Sequence, residues 1–191
     1  MYRRQGFTLV EVLFVLVIIA TVMAYAVPSY RRTKDRAAYD AATGILVDVE
    51  SAIRAMKRDL TMQNYASNFP DSGTKQITGT EGTVSLNNQT LKTYVGAQST
   101  NAGRDTAFVK GLYTFGYLEP FTPKGYNYYA IRGNNATICN NKCRPLSTET
   151  SGESVVACMC KSSLVNTDCY YGAVFLNTGK IRPITGSSCR S

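Results

Sequence analysis

Histidine is absent from the 191 residues of this chain. Its absence excludes Ser-His-Asp and Cys-His catalytic groups and removes the commonest general base at neutral pH. The patterns GxSxG, HExxH, GxxxxGKS/T and GxGxxG, which mark hydrolase and nucleotide-binding sites, are missing as well. The sequence therefore predicts a protein that is not an enzyme and that needs no cofactor.

Cysteine is absent from the first two thirds of the chain. The six cysteines are Cys139, Cys143, Cys158, Cys160, Cys169 and Cys189. An even number of cysteines behind an export-like N-terminus favours disulfide bonds formed in an oxidising compartment. The alternative is a zinc site, but the spacing contains CxxxC and CxC rather than paired CxxC motifs. We therefore expect disulfides and no metal, with Cys158 and Cys160 on one face of a strand and Cys169–Cys189 as a candidate pair.

Charge is almost absent between Phe7 and Val27, where Glu11 is the only charged residue. This segment would form a helix about 30 Å long, which is enough to cross a bilayer. An acid surrounded by lipid is costly unless another group pairs with it, so Glu11 needs a specific explanation. The segment predicts a membrane-spanning helix.

A secretory signal peptide is the alternative for the same segment. Arg3 and Arg4 would form its basic region, and Ala24-Tyr25-Ala26 matches a cleavage pattern. The apolar stretch, however, exceeds the roughly 7–15 residues that are usual for a signal peptide, and it carries an acid near its start. Cleavage after Ala26 would leave a secreted soluble binding protein.

Helical periodicity continues beyond the apolar run. Pro28 predicts a kink or a local break, because proline has no backbone N–H to donate. Apolar residues then recur at steps of three and four, which predicts one long helix to about Leu60 with a single apolar face. These residues are Ala38, Ala42, Ile45, Val49, Ile53, Met56 and Leu60. We expect this amphipathic half to pack its apolar face on a globular domain.

The segment Gly6-Phe7-Thr8-Leu9-Val10-Glu11, after a short basic leader and before the apolar run, resembles the class III signal of type IV prepilins and type II secretion pseudopilins. Ala26-Val27-Pro28-Ser29-Tyr30 is similar to the proline-containing segment that closes the pilin membrane region. The resemblance implies cleavage after Gly6 by a prepilin peptidase and N-methylation of the new N-terminal residue, Phe7.

The resemblance also implies a role for Glu11. Its carboxylate would pair with the N-terminal ammonium of a neighbouring subunit and set the axial stagger during assembly, as buried polar groups do in other helical assemblies. The alternative is local, since Glu11 could meet its own N-terminal amine or simply favour the N-terminus of its own helix.

The family further implies a location and partners. A prepilin is a single-pass protein of the bacterial inner membrane, with its head on the periplasmic, extracytoplasmic side before it enters a surface pilus or pseudopilus. Its partners would be other pilin subunits in a homopolymeric filament, the prepilin peptidase/methyltransferase and the inner-membrane pilus assembly machinery. The excess of 8 positive charges indicates binding to nucleic acid only weakly.

The distribution of basic residues opposes that topology. Four of them follow the apolar span, whereas only two precede it. Those that follow are Arg31, Arg32, Lys34 and Arg36. The positive-inside rule alone would place the head in the cytoplasm. We give precedence to the prepilin signal because it is more specific.

The remaining sequence predicts an α+β fold in which a long N-terminal helix packs on an antiparallel sheet. The strand candidates are Val84–Leu86, Leu91–Val95, Tyr126–Ile131, Ser154–Met159 and Tyr170–Leu176, with a hairpin over Ala173–Arg182. The predicted organisation is a leader at 1–6, a transmembrane helix at 7–27, its amphipathic half at 28–60 and a head at 61–191. Within the head, we expect a loop region at 61–105 and a sheet and cysteine-rich region at 106–191.

These features predict a structural subunit of a type IV pilus that polymerises through its N-terminal helix for motility, adhesion or DNA uptake. A pseudopilin of a type II secretion system and a minor adhesive or DNA-binding pilin share the same signal and are the alternatives within the family.

Overall fold

A computed structural model describes residues 8–62, 74–79, 81, 89–98, 100–131, 155–163 and 170–185. The elements within these ranges are the helices α1 (Leu9–Met62), α2 (Leu91–Gly96) and α3 (Asn101–Thr114) and the strands β1 (Thr74–Ile77), β2 (Tyr126–Ile131), β3 (Val155–Lys161), β4 (Tyr170–Leu176) and β5 (Ile181–Thr185). A long apolar N-terminal helix and an antiparallel sheet make this an α+β fold, and that prediction is confirmed.

The chain forms two compact units, residues 1–37 and residues 38–191. In the first unit, the described residues belong almost entirely to α1. The most apolar 18-residue window of α1 has a mean hydropathy of 2.6 and no buried residue, and its length and composition suit a membrane span. Pro28 lies inside α1, which is continuous from Leu9 to Met62. The predicted local break is therefore wrong, and the kink stays a prediction.

The second unit contains a five-stranded sheet in the order β1-β2-β3-β4-β5, with every neighbouring pair antiparallel. Strands β2 and β4 have the predicted bounds, while β3 is shifted by one or two residues from the prediction. A short turn joins β4 to β5, and Gly179 in that turn has a φ of +83° that favours glycine. The predicted hairpin over Ala173–Arg182 is confirmed.

One face of α1 supplies much of the core of this unit. Its buried apolar residues are Tyr39, Ala42, Leu46, Val49, Ala52, Ile53, Met56 and Leu60. They belong to the same buried cluster as Tyr128 of β2 and Met159 of β3, so the predicted packing of helix on sheet is confirmed. Ala38, which the periodicity placed on this face, is exposed. Tyr39 is buried instead and stacks on Tyr170, with ring centroids 4.7 Å apart.

The opposite face of the sheet carries a second buried cluster, which includes Cys158 and Cys160 of β3 together with Val174 and Ile184. The two cysteines share this face, as their alternate spacing predicted. The other four cysteines lie outside the described residues, so the pairing of all six stays a prediction.

The segment 61–105, predicted as a loop region with two strand candidates, contains further regular structure, and the strand predicted over Leu91–Val95 is wrong. Strand β1 lies in it, Leu91–Val95 is helical rather than a strand, and α3 begins at Asn101. Thr90 and Thr100 explain the two helix starts, because each hydroxyl accepts a backbone N–H three residues ahead. Leu91, Tyr94 and Val95 are then buried together, which a helix allows and an alternating strand does not. Candidate strand Val84–Leu86 lies outside the described residues.

Candidate functional site

The first turn of α1 is held by a reciprocal pair of residues, Thr8 and Glu11. The backbone N–H and the hydroxyl of Thr8 each donate to Oε2 of Glu11 at 2.9 Å. The backbone N–H of Glu11 in turn donates to the Thr8 hydroxyl oxygen at 3.3 Å. Because Thr8 directly precedes α1 and Glu11 is its third residue, the pair forms a capping box.

The capping box defines what the Glu11 carboxylate does in a single chain. Both hydrogen bonds from Thr8 end on the same oxygen, Oε2. A carboxylate offers two oxygens with about four acceptor positions, so Oε1 lies outside this pair of bonds and can accept a further donor. The arrangement matches the local alternative, in which Glu11 stabilises the N-terminus of its own helix. It also leaves Oε1 able to accept a hydrogen bond from a second partner.

Thr8 is the functional residue that the sequence analysis missed. Threonine followed three residues later by glutamate, immediately before an apolar run, is the sequence signature of a capping box. The letters TLVE at positions 8–11 contain it.

The carboxylate lies among exposed apolar side chains. Leu9, Val10 and Leu13 are 80%, 73% and 58% exposed, and exposure of large apolar residues continues to Val27 at 47%. An apolar surface of this extent suits lipid or the apolar helices of other copies. Gly6 and Phe7, the predicted cleavage and methylation positions, lie outside the described residues.

A group of basic side chains follows the apolar run. Arg31, Arg32, Lys34 and Arg36 are all exposed, and we call them the basic collar. Tyr25 and Tyr30, which lie just before it, are 85% and 70% exposed. The collar lies wholly within the first unit.

The second unit has an open cleft of about 490 Å³ between α1 and the segment after α3. Asp48 and Glu119 are its acidic lining residues. Near it, the Tyr117 hydroxyl donates to Oδ2 of Asp59, and burial together with this acceptor raises the pKa of Tyr117 to about 12. Across the described part of the chain, no group of three or more His, Cys, Asp or Glu side chains could hold a metal ion.

Three charged side chains of α1, Glu50, Arg54 and Lys57, are wholly or partly buried. Glu50 is buried and forms an ion pair with Arg54, whose Nη2 donates to the carbonyl oxygen of Asn177 at 3.0 Å. Burial, with a smaller contribution from the Arg54 charge, lowers the pKa of Lys57 to about 8. Arg54 thereby ties α1 to the C-terminal end of β4.

Comparison with known proteins adds one finding. The family model described as the prokaryotic N-terminal methylation motif matches residues 1–27. No curated protein and no solved structure matches the chain. The matched motif includes the apolar start of α1, and a five-stranded antiparallel sheet follows later in the chain. Over residues 1–27 the chain is similar to type IV pilin-like prepilins.

Proposed function

We propose that this chain is the structural subunit of a filament, a type IV pilus in the first place, and that it polymerises through α1. The observation that carries the proposal is the methylation motif at residues 1–27, which runs into a helix whose apolar side chains are exposed. An exposed apolar helix of this length is unfavourable in water and needs lipid or other helices around it. Membrane insertion followed by helix packing supplies both environments in turn.

Maturation would begin with cleavage after Gly6 and methylation of Phe7. The cut removes Arg3 and Arg4 and lowers the formal net charge from +8 to +6. It also creates a new ammonium group four residues before Glu11. Until the cut is made, the Phe7 nitrogen is a peptide nitrogen and cannot serve as a counter-charge.

Glu11 would then act in two ways. Its Oε2 keeps the cap with Thr8, while Oε1 accepts the Phe7 ammonium of a neighbouring copy. In lipid the carboxylate has no cation of another copy beside it, whereas in the filament it has one only when two helices are correctly staggered. A wrong stagger leaves the Glu11 charge unpaired in an apolar environment, which is unfavourable, so the correct register is selected.

We place the second unit on the extracytoplasmic side of the bacterial inner membrane before assembly. The even number of cysteines supports this side, because six cysteines can form three disulfides, and disulfides persist in oxidising compartments and are rare in the cytoplasm. Disulfide formation therefore argues against a cytoplasmic head, which is the orientation that the positive-inside rule predicts from the basic residues around the span.

The test is the N-terminal peptide of the mature protein, purified from cells and identified by mass spectrometry. We expect a chain that begins with N-methylated Phe7. A chain that begins at Val27 would show signal-peptide cleavage, and a chain that retains Met1–Gly6 would show no processing. Either result contradicts the proposal.

A type II secretion pseudopilin remains the alternative role, because its signal is the same. Deletion of the gene distinguishes the two. Loss of surface filaments with normal protein secretion supports the pilus, and loss of secretion with normal surface filaments supports the pseudopilus.

A further inference from the structure

The basic collar has an unusual position relative to the apolar run. Val27 is the last apolar residue of that run, and Arg31 follows it by four residues, or about 6 Å along a helix. The headgroup region on each side of a bilayer is about 5–7 Å thick. A helix whose apolar run spans the hydrocarbon therefore carries Arg31 and Arg32 at headgroup depth. Lys34 and Arg36 lie about 10 and 14 Å beyond Val27, which is still within about a Debye length of the headgroups.

The two tyrosines support the same depth. Tyr25 and Tyr30 are 85% and 70% exposed and lie on either side of the end of the apolar run. Tyrosine is enriched where hydrocarbon meets the headgroups, because its ring is apolar and its hydroxyl is polar. The order along the helix is thus apolar residues, an aromatic boundary and then a group of cations.

The collar also surrounds much of the helix. At about 100° per residue, positions 31, 32, 34 and 36 point in at least three directions around the axis. All four side chains are exposed. A neighbouring protein would cover one side of the helix, whereas lipid headgroups lie on every side of it.

We infer that the basic collar binds anionic lipid headgroups while the subunit is in the membrane. This inference rests on the membrane-spanning part of the proposed function. It does not depend on topology, because the collar begins at headgroup depth and ends just outside it in either orientation. Cationic side chains at a membrane surface attract anionic lipids, and salt weakens that attraction. Lipid binding would hold the subunit at a defined depth before assembly.

The experiment uses the full-length chain reconstituted in phosphatidylcholine bilayers. Electron paramagnetic resonance of spin-labelled phosphatidylglycerol and phosphatidylcholine measures which lipid associates with the protein. The collar variant changes Arg31, Arg32, Lys34 and Arg36 to Gln. The control variant makes the same change in charge at four exposed cations of the second unit, Arg58, Lys75, Lys124 and Lys180. Arg3 and Arg4 are present in all three proteins, so their contribution cancels.

We expect wild type to prefer phosphatidylglycerol at least about threefold at low ionic strength, and this preference to fall at high salt. The collar variant should lose most of the preference, and the control variant should keep it. Equal association of both lipids with wild type would overturn the inference, as would an unchanged preference in the collar variant.

Two further outcomes separate the inference from its rivals. Energy transfer between labelled copies measures self-association in the same bilayers. If the collar variant loses self-association but keeps its lipid preference, the collar binds an acidic surface of a second copy and the lipid inference is wrong. If no lipid is immobilised by the wild-type chain, it has not inserted. That result contradicts the proposed function together with this inference, whereas insertion without lipid preference contradicts the inference alone.

Discussion

Oε2 of Glu11 accepts two hydrogen bonds from Thr8, one from its backbone N–H and one from its hydroxyl, each 2.9 Å long. The acid that interrupts the apolar run therefore has a partner within its own chain. The cap requires only an acceptor oxygen, whereas a pairing with an ammonium requires a negative charge. Substitutions that preserve one property and remove the other can separate the two roles.

Glu11→Gln keeps a side-chain oxygen for the cap but removes the charge. We expect this variant to insert and to be cleaved normally, while its filament yield falls to background, as in Glu11→Ala. Counting filaments by electron microscopy beside an immunoblot of the membrane fraction measures both steps. A normal filament yield from Glu11→Gln would show that charge pairing does not set the register.

Thr8→Val is the complementary change, because it keeps the Glu11 charge and removes the hydroxyl of the cap. We expect only a partial loss of filaments, since the backbone N–H of Thr8 still donates to the carboxylate. Thr8→Ser, which keeps the hydroxyl, is the matched control and should assemble like wild type. If Thr8→Val abolishes filaments as completely as Glu11→Gln, then the hydroxyl of the cap is required as well as the charge.

Arg54→Leu should destabilise the head by about 2 kcal/mol, because Glu50 would be left buried without its cation and the carbonyl of Asn177 would lose a donor. Thermal unfolding of the full-length chain in detergent, followed by near-UV circular dichroism, measures the change. Arg58→Leu, at an exposed position of the same helix, is the control and should change stability little. Replacing Glu50 and Arg54 together by Leu should recover part of the loss.

Gly172→Ala should also destabilise the head, by more than about 2 kcal/mol. A Cβ at this position would overlap the carbonyl oxygen of Met159 on the neighbouring strand, where the backbone cannot move without disturbing the sheet. Gly44→Ala is the matched control, because its Cβ meets nothing and alanine favours a helix by about 1 kcal/mol. Opposite shifts of the unfolding temperature are expected, and equal shifts would contradict the packing of β3 on β4.

Stability should depend on pH through Lys57. Its pKa is about 8 in the folded chain against an ordinary 10.5, so between these values the unfolded chain binds more protons and stability rises with pH. The expected rise is about 1–3 kcal/mol. The pKa of Tyr117 is about 12 in the folded chain, against an ordinary 10. Above pH 10 the unfolded chain therefore loses this proton first, and stability falls again. Unfolding measured from pH 7 to 10 should show the rise in wild type and in the control Lys124→Met, but not in Lys57→Met. An unchanged rise in Lys57→Met would contradict this assignment.

The features that the sequence predicted well are those encoded by neighbouring residues. The apolar run, the period of α1 and the alternating strands Tyr126–Ile131 and Tyr170–Leu176 can be seen in short windows. The helix over Leu91–Gly96 was missed because Leu91–Val95 has residues typical of a strand, and only the Thr90 cap and packing against the core decide otherwise. Thr8 was missed although its capping signature is local.

By itself, the sequence determined the membrane-length helix, its acid and the methylation motif, because length, composition and spacing are properties of contiguous residues. It also determined that any disulfides lie in the last third of the chain. Only the tertiary structure decided that Glu50 is buried beside Arg54, which donates to carbonyl oxygens more than 120 residues away. Likewise, only the sheet register placed Cys158 and Cys160 on the face opposite α1. Contacts between distant segments depend on how the chain folds back on itself, so patterns within short stretches of sequence do not predict them.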